Sequence, residues 1–240
     1  MSVRWHTYPD GTAAAEACAH HILALLDDSL ASSEFATIAV SGGSTPRIMF
    51  PLMAKASIAW DRVHIFWVDE RCVPPTDDQS NYKLANETLL MPAHIPQRNI
   101  HRVLGDIQPE AAARRYTQEI REFFGLQPGE FPRFDIMHRG MGPEAHSASL
   151  FPGDPLIDDH ENIAAATFVK KFNQSRVTLL PGPMEAAKHT VFLVAGGDKK
   201  EAIRAVFQEN YDPKAYPAQI GRGPNCTWFL DRAAAELVDE

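Results

Sequence analysis

Cysteine is scarce in this 240-residue chain. Cys18, Cys72 and Cys226 stand far apart and form no C-x-x-C pair. That spacing excludes a zinc knuckle and a disulfide framework, and a sparse, odd count suits a reducing compartment. Long apolar runs are missing too: no uninterrupted window of about 18 residues exists, which excludes a helical membrane span. Asp10, Glu16, His20 and His21 interrupt any apolar segment near the N-terminus, so no secretory signal is expected. Positive charge is thin. Lys and Arg number 23 against 31 Asp and Glu, for a net charge of −8, and no basic run is longer than two. Nucleic acid, held by dense basic faces, is therefore not an expected partner. Internal repeats, low-complexity tracts and long linkers are also absent. These absences predict a cytoplasmic protein with one domain over residues 1–240, monomeric or a small homo-oligomer.

What is present is a regular alternation of strand and helix patterns, with 45% hydrophobic and 22% charged residues, as in ordinary globular chains. From Thr12, read as an N-cap, Cys18, Ile22, Leu25 and Leu26 recur at helical spacing. "FATIAV" (35–40) reads as a buried strand, and "SGGSTP" leads to a helix from Pro46 with Thr45 as its cap. "RVHIFWVD" (62–69) is the next strand, with a helix from Asn81 to Leu90 beyond a polar loop. Tyr116, Ile120 and Phe124 form one stripe of a further helix. "FDIM" (134–137), "NIAAATFV", "RVTLL", "HTVFLVAGG" (189–197) and "NCTWFL" read as strands, "DKKE" (198–201) as a capping box for a helix through Phe207, and "DRAAAEL" as a terminal helix. Such alternation predicts a three-layer, doubly wound α/β fold with a mostly parallel sheet.

Ligands of open α/β sheets sit at the carboxyl ends of the strands. Four loops there carry chemistry. In "SGGSTPR", Ser41, Gly42, Gly43, Ser44 and Thr45 supply amides and hydroxyls suited to an anion at a helix start; a plain tight turn is the alternative. The lysine and spacing of a Walker A loop are absent. In "DER", Arg71 can pair with a phosphate or carboxylate, and Asp69 can hold a sugar hydroxyl or orient a partner; a solvated ion pair is the alternative. Arg176 opens a strand and Lys199 a helix, where a lysine opposes the helix dipole and so hints at an anion, with surface charge as the alternative.

The fourth loop, "GMGPEAHSASLFPG" (140–153), admits two readings. By letter it fits the dinucleotide fingerprint G-x-G-x-x-A, but the ribose-binding acid expected about 20 residues on would be Glu161, which precedes a strand instead of ending one. Alternatively the small residues make room around His146, a proton acceptor at neutral pH. "IDDHE" (157–161) lacks metal-ligand spacing, so no metal is expected. No G-x-S-x-G elbow is present either.

Taken in order, "SGGSTPR", "DERCVPPTDDQSNY", "GMGPEAHSASLFPG", "RVTLL", "VFLVAGGDKKEA" and "YPAQ…TWFLDRAAA" resemble the 6-phosphogluconolactonase family over nearly the whole chain. The resemblance implies the glucosamine-6-phosphate deaminase-like fold and hydrolysis of 6-phospho-D-glucono-1,5-lactone, a phosphorylated sugar lactone, in the oxidative pentose phosphate pathway. It implies no metal and no organic cofactor. It also implies His146 as the base, phosphate held by Ser41–Thr45 with Arg71, Arg176 and Lys199, and Asp69 orienting the sugar or the imidazole. Two departures stand beside it. Glu144-Ala145 replaces the family's usual Asp-Gly, and His138-Arg139 puts polar groups where the family is usually apolar. An amino-sugar-phosphate deaminase or isomerase of the same fold, and a non-catalytic sugar-phosphate binding protein, are the rival readings.

Overall fold

Five consecutive residues buried on both sides, Ala36–Val40, mark the centre of a sheet covered by helices on each face. The computed structural model describes residues 3–238. In chain order the elements are β1 (Arg4–Tyr8), α1 (Gly11–Ser32), β2 (Ala36–Val40), α2 (Ser44–Ala54), β3 (Val63–Trp67), β4 (Asp69–Arg71), α3 (Asn81–Ala85), β5 (Ile100–His101) and α4 (Pro109–Phe124). There follow β6 (Ile136–Arg139), β7 (Ala164–Val169), β8 (Gln174–Leu179), α5 (Pro181–Ala186), β9 (His189–Val194), α6 (Lys200–Gln208), β10 (Cys226–Asp231) and α7 (Arg232–Ala235).

Among the described residues, a parallel seven-stranded sheet runs β1-β10-β9-β6-β2-β3-β5. From β2 the chain winds through β3 to β5, and from β6 through β9 to β10 the opposite way. The reversal falls between β2 and β6, the place where doubly wound sheets bind ligands. The large apolar core joins α1, α2 and α4 to the sheet. A smaller one packs α6 and α7 on β9 and β10, where Phe192 and Trp228 stack at 3.7 Å. The expected three-layer α/β architecture is what is found.

Several local expectations are corrected. β1, with its mixed burial, was not foreseen; it sits at the sheet edge and, among the described residues, pairs only with β10. Asp10 caps α1, accepting from Ala13 N at 2.9 Å, in place of Thr12. α2 begins at Ser44, before Pro46, and Gly43 precedes it with no side-chain cap. The helix expected to run to Leu90 ends as α-helix at Ala85 and widens into a π-type turn over Asn86–Leu90. "DKKE" makes no capping box: Asp198 pairs with Lys199, a 3-10 turn spans Gly197–Lys199, and α6 starts uncapped at Lys200.

β4, β8 and β7 are the largest surprise, because they leave the main sheet and form an antiparallel one of their own. Trp67 explains the exit. The Tyr116 hydroxyl donates to Trp67 O at 2.7 Å and accepts from Trp67 N at 2.8 Å, substituting for a neighbour that β5 is too short to supply. Val68 then serves both sheets, donating to Val40 O and accepting from Leu179 N.

Candidate active site

The loops after β2, β6 and β9 and one face of the small sheet enclose a cavity of about 190 Å³. That is below the roughly 300–1,000 Å³ of pockets for drug-sized ligands and fits a small metabolite. Every residue proposed from the sequence as catalytic or substrate-binding lines it: His146, Asp69, Arg71, Arg176, Lys199 and the 41–45 loop.

On one side lies the glycine loop. Gly43 has φ +117° and ψ −171°, a backbone region essentially closed to other residues. Gly42 allows a close approach, since a Cβ there would overlap the Asn81 side chain. With no side chain capping α2, its first amides face the cavity with the positive end of the helix dipole. Ser41 Oγ is buried and has no partner among the described residues.

The small sheet supplies the charge. Alternation along β4 sends Asp69 and Arg71 to one face and Glu70 to the other. Glu70, buried, accepts from the amides of Arg71, Asn81 and Tyr82 at 2.7 to 2.8 Å and so ties β4 to the start of α3. Arg71 lies directly opposite Arg176 in the antiparallel register. Like charges so placed repel, and such a pair is stabilised by an anion between them. Arg176 reaches Ser149 Oγ at 3.5 Å, and that hydroxyl donates to Asp69 Oδ2 at 2.7 Å. Arg71 donates to Gln79 O at 2.6 Å, leaving its buried Nε unpartnered among the described residues. Lys199, at the uncapped start of α6, adds a third cation.

His146 stands on the turn after β6. Ala145 N donates to Gly142 O and Gly142 N to His146 O, each at 3.0 Å, and Ala145 has φ +60°. This is the three-residue connection whose left-handed position favours glycine; here alanine occupies it, at a cost of about 1–2 kcal/mol. A Cβ on Gly142 would overlap the imidazole. The ring stacks on Phe151 at 4.1 Å, and its Nδ1 lies 2.8 Å from Glu144 Oε2. Burial raises the Glu144 carboxyl, but Lys171, its own backbone amide and His146 outweigh that and hold it at about 2. The carboxylate is thus an anion at neutral pH, so Nδ1 carries the proton and Nε2 the lone pair. Burial lowers the His146 pKa, with Glu144 and Asp69 opposing and Arg176 assisting, which keeps the ring neutral. Asp69 accepts from Ser149, and the carboxylate on the imidazole is Glu144.

His138 and Arg139 are the last two residues of β6, and both are fully buried. His138 Nδ1 lies 3.5 Å from Ser41 N, and burial alone lowers its pKa to about 4, so it is neutral. Arg139 donates from Nε to Ser147 Oγ at 3.0 Å, and Ser147 donates to Gly140 O at 3.1 Å. Its guanidinium lies 4.8 Å from the Phe192 ring centre. Its Nη atoms have no partner among the described residues, and burial pushes it down to about 10. The bonds lock the turn that carries His146. Sequence reasoning missed this brace, and also Glu144, whose signal was its position two residues before the histidine on a turn.

Residues 9–228 match the family described as "Glucosamine-6-phosphate isomerases/6-phosphogluconolactonase". A 6-phosphogluconolactonase of Nostoc sp. is 38% identical over 232 residues, covering 95% of this chain and 96% of its own. One from Synechocystis sp. is 36% identical over 202 residues, 83% of each chain. The crystal structure of a 6-phosphogluconolactonase from Thermotoga maritima superposes with a TM-score of 0.83 at 28% identity, covering 95% of this chain and 99% of the other. With a match over most of its length, the chain belongs to the glucosamine-6-phosphate isomerase/6-phosphogluconolactonase family.

Proposed function

We propose that this protein hydrolyses 6-phospho-D-glucono-1,5-lactone to 6-phosphogluconate, with His146 as the base. The observation that carries the reading is a neutral imidazole, its Nδ1 held by an ionised Glu144, on the same small cavity as the opposed Arg71 and Arg176. The names of the similar proteins support the substrate.

In this reading the phosphate sits between Arg71 and Arg176, reached by Lys199 and by the amides and hydroxyls of Ser41–Thr45. Fixing the phosphate sets the lactone carbonyl near His146. Nε2 takes a proton from water as its oxygen bonds to the carbonyl carbon, and Glu144 stabilises the imidazolium that forms. The carbon–ring-oxygen bond then breaks, and the imidazolium returns the proton to the departing ring oxygen. The new carboxylic acid loses its proton to solvent. Asp69, through Ser149, holds the Arg176 side of the site.

A coupled assay tests this: glucose-6-phosphate dehydrogenase makes the lactone, and 6-phosphogluconate formation is followed with and without the protein. Acceleration above the spontaneous rate is expected, with no ammonia released from glucosamine 6-phosphate. His146→Ala should lower kcat by roughly 10²- to 10⁴-fold while 6-phosphogluconate still binds. A variant as active as the parent would remove His146 from the mechanism.

A further inference from the structure

The turn between β7 and β8, residues 170–173, touches both halves of the site. Lys171 Nζ pairs with Glu144 Oε1, the carboxylate whose other oxygen holds His146. The next residue, Phe172, is 49% exposed, which core packing does not explain. Its ring carries the Arg176 guanidinium at 5.0 Å and the Lys171 ammonium at 5.5 Å. It also meets Phe151 edge-on, with centroids 6.1 Å apart at 68°. Phe151 is the plate on which His146 lies. The contacts close into a ring: Lys171 to Glu144, Glu144 to His146, His146 to Phe151, Phe151 to Phe172, and Phe172 to both Lys171 and Arg176.

We propose that Lys171 and Phe172 are positioning residues, a clasp through which this turn sets the imidazole on one side and the Arg176 guanidinium on the other. The proposal rests on the reading of His146 as base and Arg176 as anion ligand. An exposed ion pair such as Lys171–Glu144 contributes little to stability. Its effect is geometric. Lys171 occupies one carboxylate oxygen, so the other alone is left for Nδ1, and the plane of the imidazole follows from the plane of the carboxylate. Phe172 gives Arg176 a face to lie on and stops Phe151 from sliding off the imidazole. The charged groups facing His146 are Glu144, Asp69 and Arg176, with Lys171 behind Glu144.

The test uses the full chain with Lys171→Met, Lys171→Arg, Phe172→Ala and Phe172→Trp. Lys171→Met should lower kcat about tenfold, within the hundredfold that a ~1 Å misplacement costs, with KM little changed, and Lys171→Arg should restore it. Phe172→Ala should raise KM roughly two- to fivefold, the worth of an exposed cation–π contact, and Phe172→Trp should not. A second readout needs no turnover: the NMR titration of the His146 ring protons. Losing the Lys171 cation leaves the Glu144 charge wholly to the imidazolium, so the titration should move to higher pH in Lys171→Met and return in Lys171→Arg. Unchanged kcat and unchanged titration in Lys171→Met would overturn the clasp. So would a loss that arginine does not restore. If the parent protein shows no lactonase activity, the functional reading falls, and the titration alone decides whether Lys171 positions His146.

Discussion

The loop after β2 and the loop after β6 lie side by side across the reversal of the sheet, yet they are held in opposite ways. The first is shaped by backbone: Gly42 and Gly43 take up space and angles closed to other residues, and uncapped amides face the cavity. The second puts alanine where glycine is favoured, and side chains brace it: Arg139 through Ser147 from below, and Lys171 through Glu144 from outside. An anion is satisfied by amides that need only stay in place. A base needs a chosen tautomer and a chosen ring plane, and backbone alone supplies neither.

Glu144→Gln should break the braced loop most sharply. Lys171 donates only, so it keeps the amide oxygen and turns the amide N–H toward Nδ1, which moves the imidazole proton to Nε2, the wrong nitrogen. A fall in kcat of roughly a hundredfold is expected, below the 10⁴-fold seen when the orienting carboxylate of a serine triad is neutralised. The sign of the pH effect follows. Glu144 raises the His146 pKa against the lowering by burial, so its neutralisation should move the acid limb of the kcat/KM profile to lower pH. Gly43→Ala tests the backbone loop: φ +117° for alanine should cost about 1–3 kcal/mol, read in a denaturant melt and in weaker binding of 6-phosphogluconate. Arg139→Met separates support from stability. Replacing a buried, incompletely bonded charge by an apolar chain of similar length should leave the melting temperature unchanged or higher, while kcat falls roughly tenfold as Ser147 is released. Ala145→Gly should have the smallest effect and the opposite sign to Gly43→Ala. Relief of about 1–2 kcal/mol, less about 0.4–1 kcal/mol of added unfolded-state entropy, leaves a gain of about 0.5–1 kcal/mol on melting.

Much of this was legible in the sequence, because sheet order and site share one rule. Buried runs such as 36–40 and 190–194 are followed by small or charged residues, and strand ends are where α/β sheets bind ligands. That is why His146, Arg71, Arg176 and Lys199 could be gathered from separate segments of the sequence. What escaped depends on partners distant in the chain. The burial of Arg139 and His138 could not be read from their own segment, because it comes with Ser147, Phe192 and Ser41. The small sheet was invisible because nothing local tells "DER" to leave its strand; Tyr116, on α4, does that. Glu144 looked like a mere departure from a familiar motif, since a glutamate on a turn is usually solvated.

The pairing of β4 with β8 carries a consequence for the order of assembly. Asp69 and Arg71 join partners far along the chain, and such non-local pairings form slowly. During synthesis the glycine loop and the start of α2 emerge long before Arg176, and Lys199 follows later still. The like-charged pair can thus close only after β6 and the His146 turn have been made, and a ligand anion present in the cell can favour that step of folding.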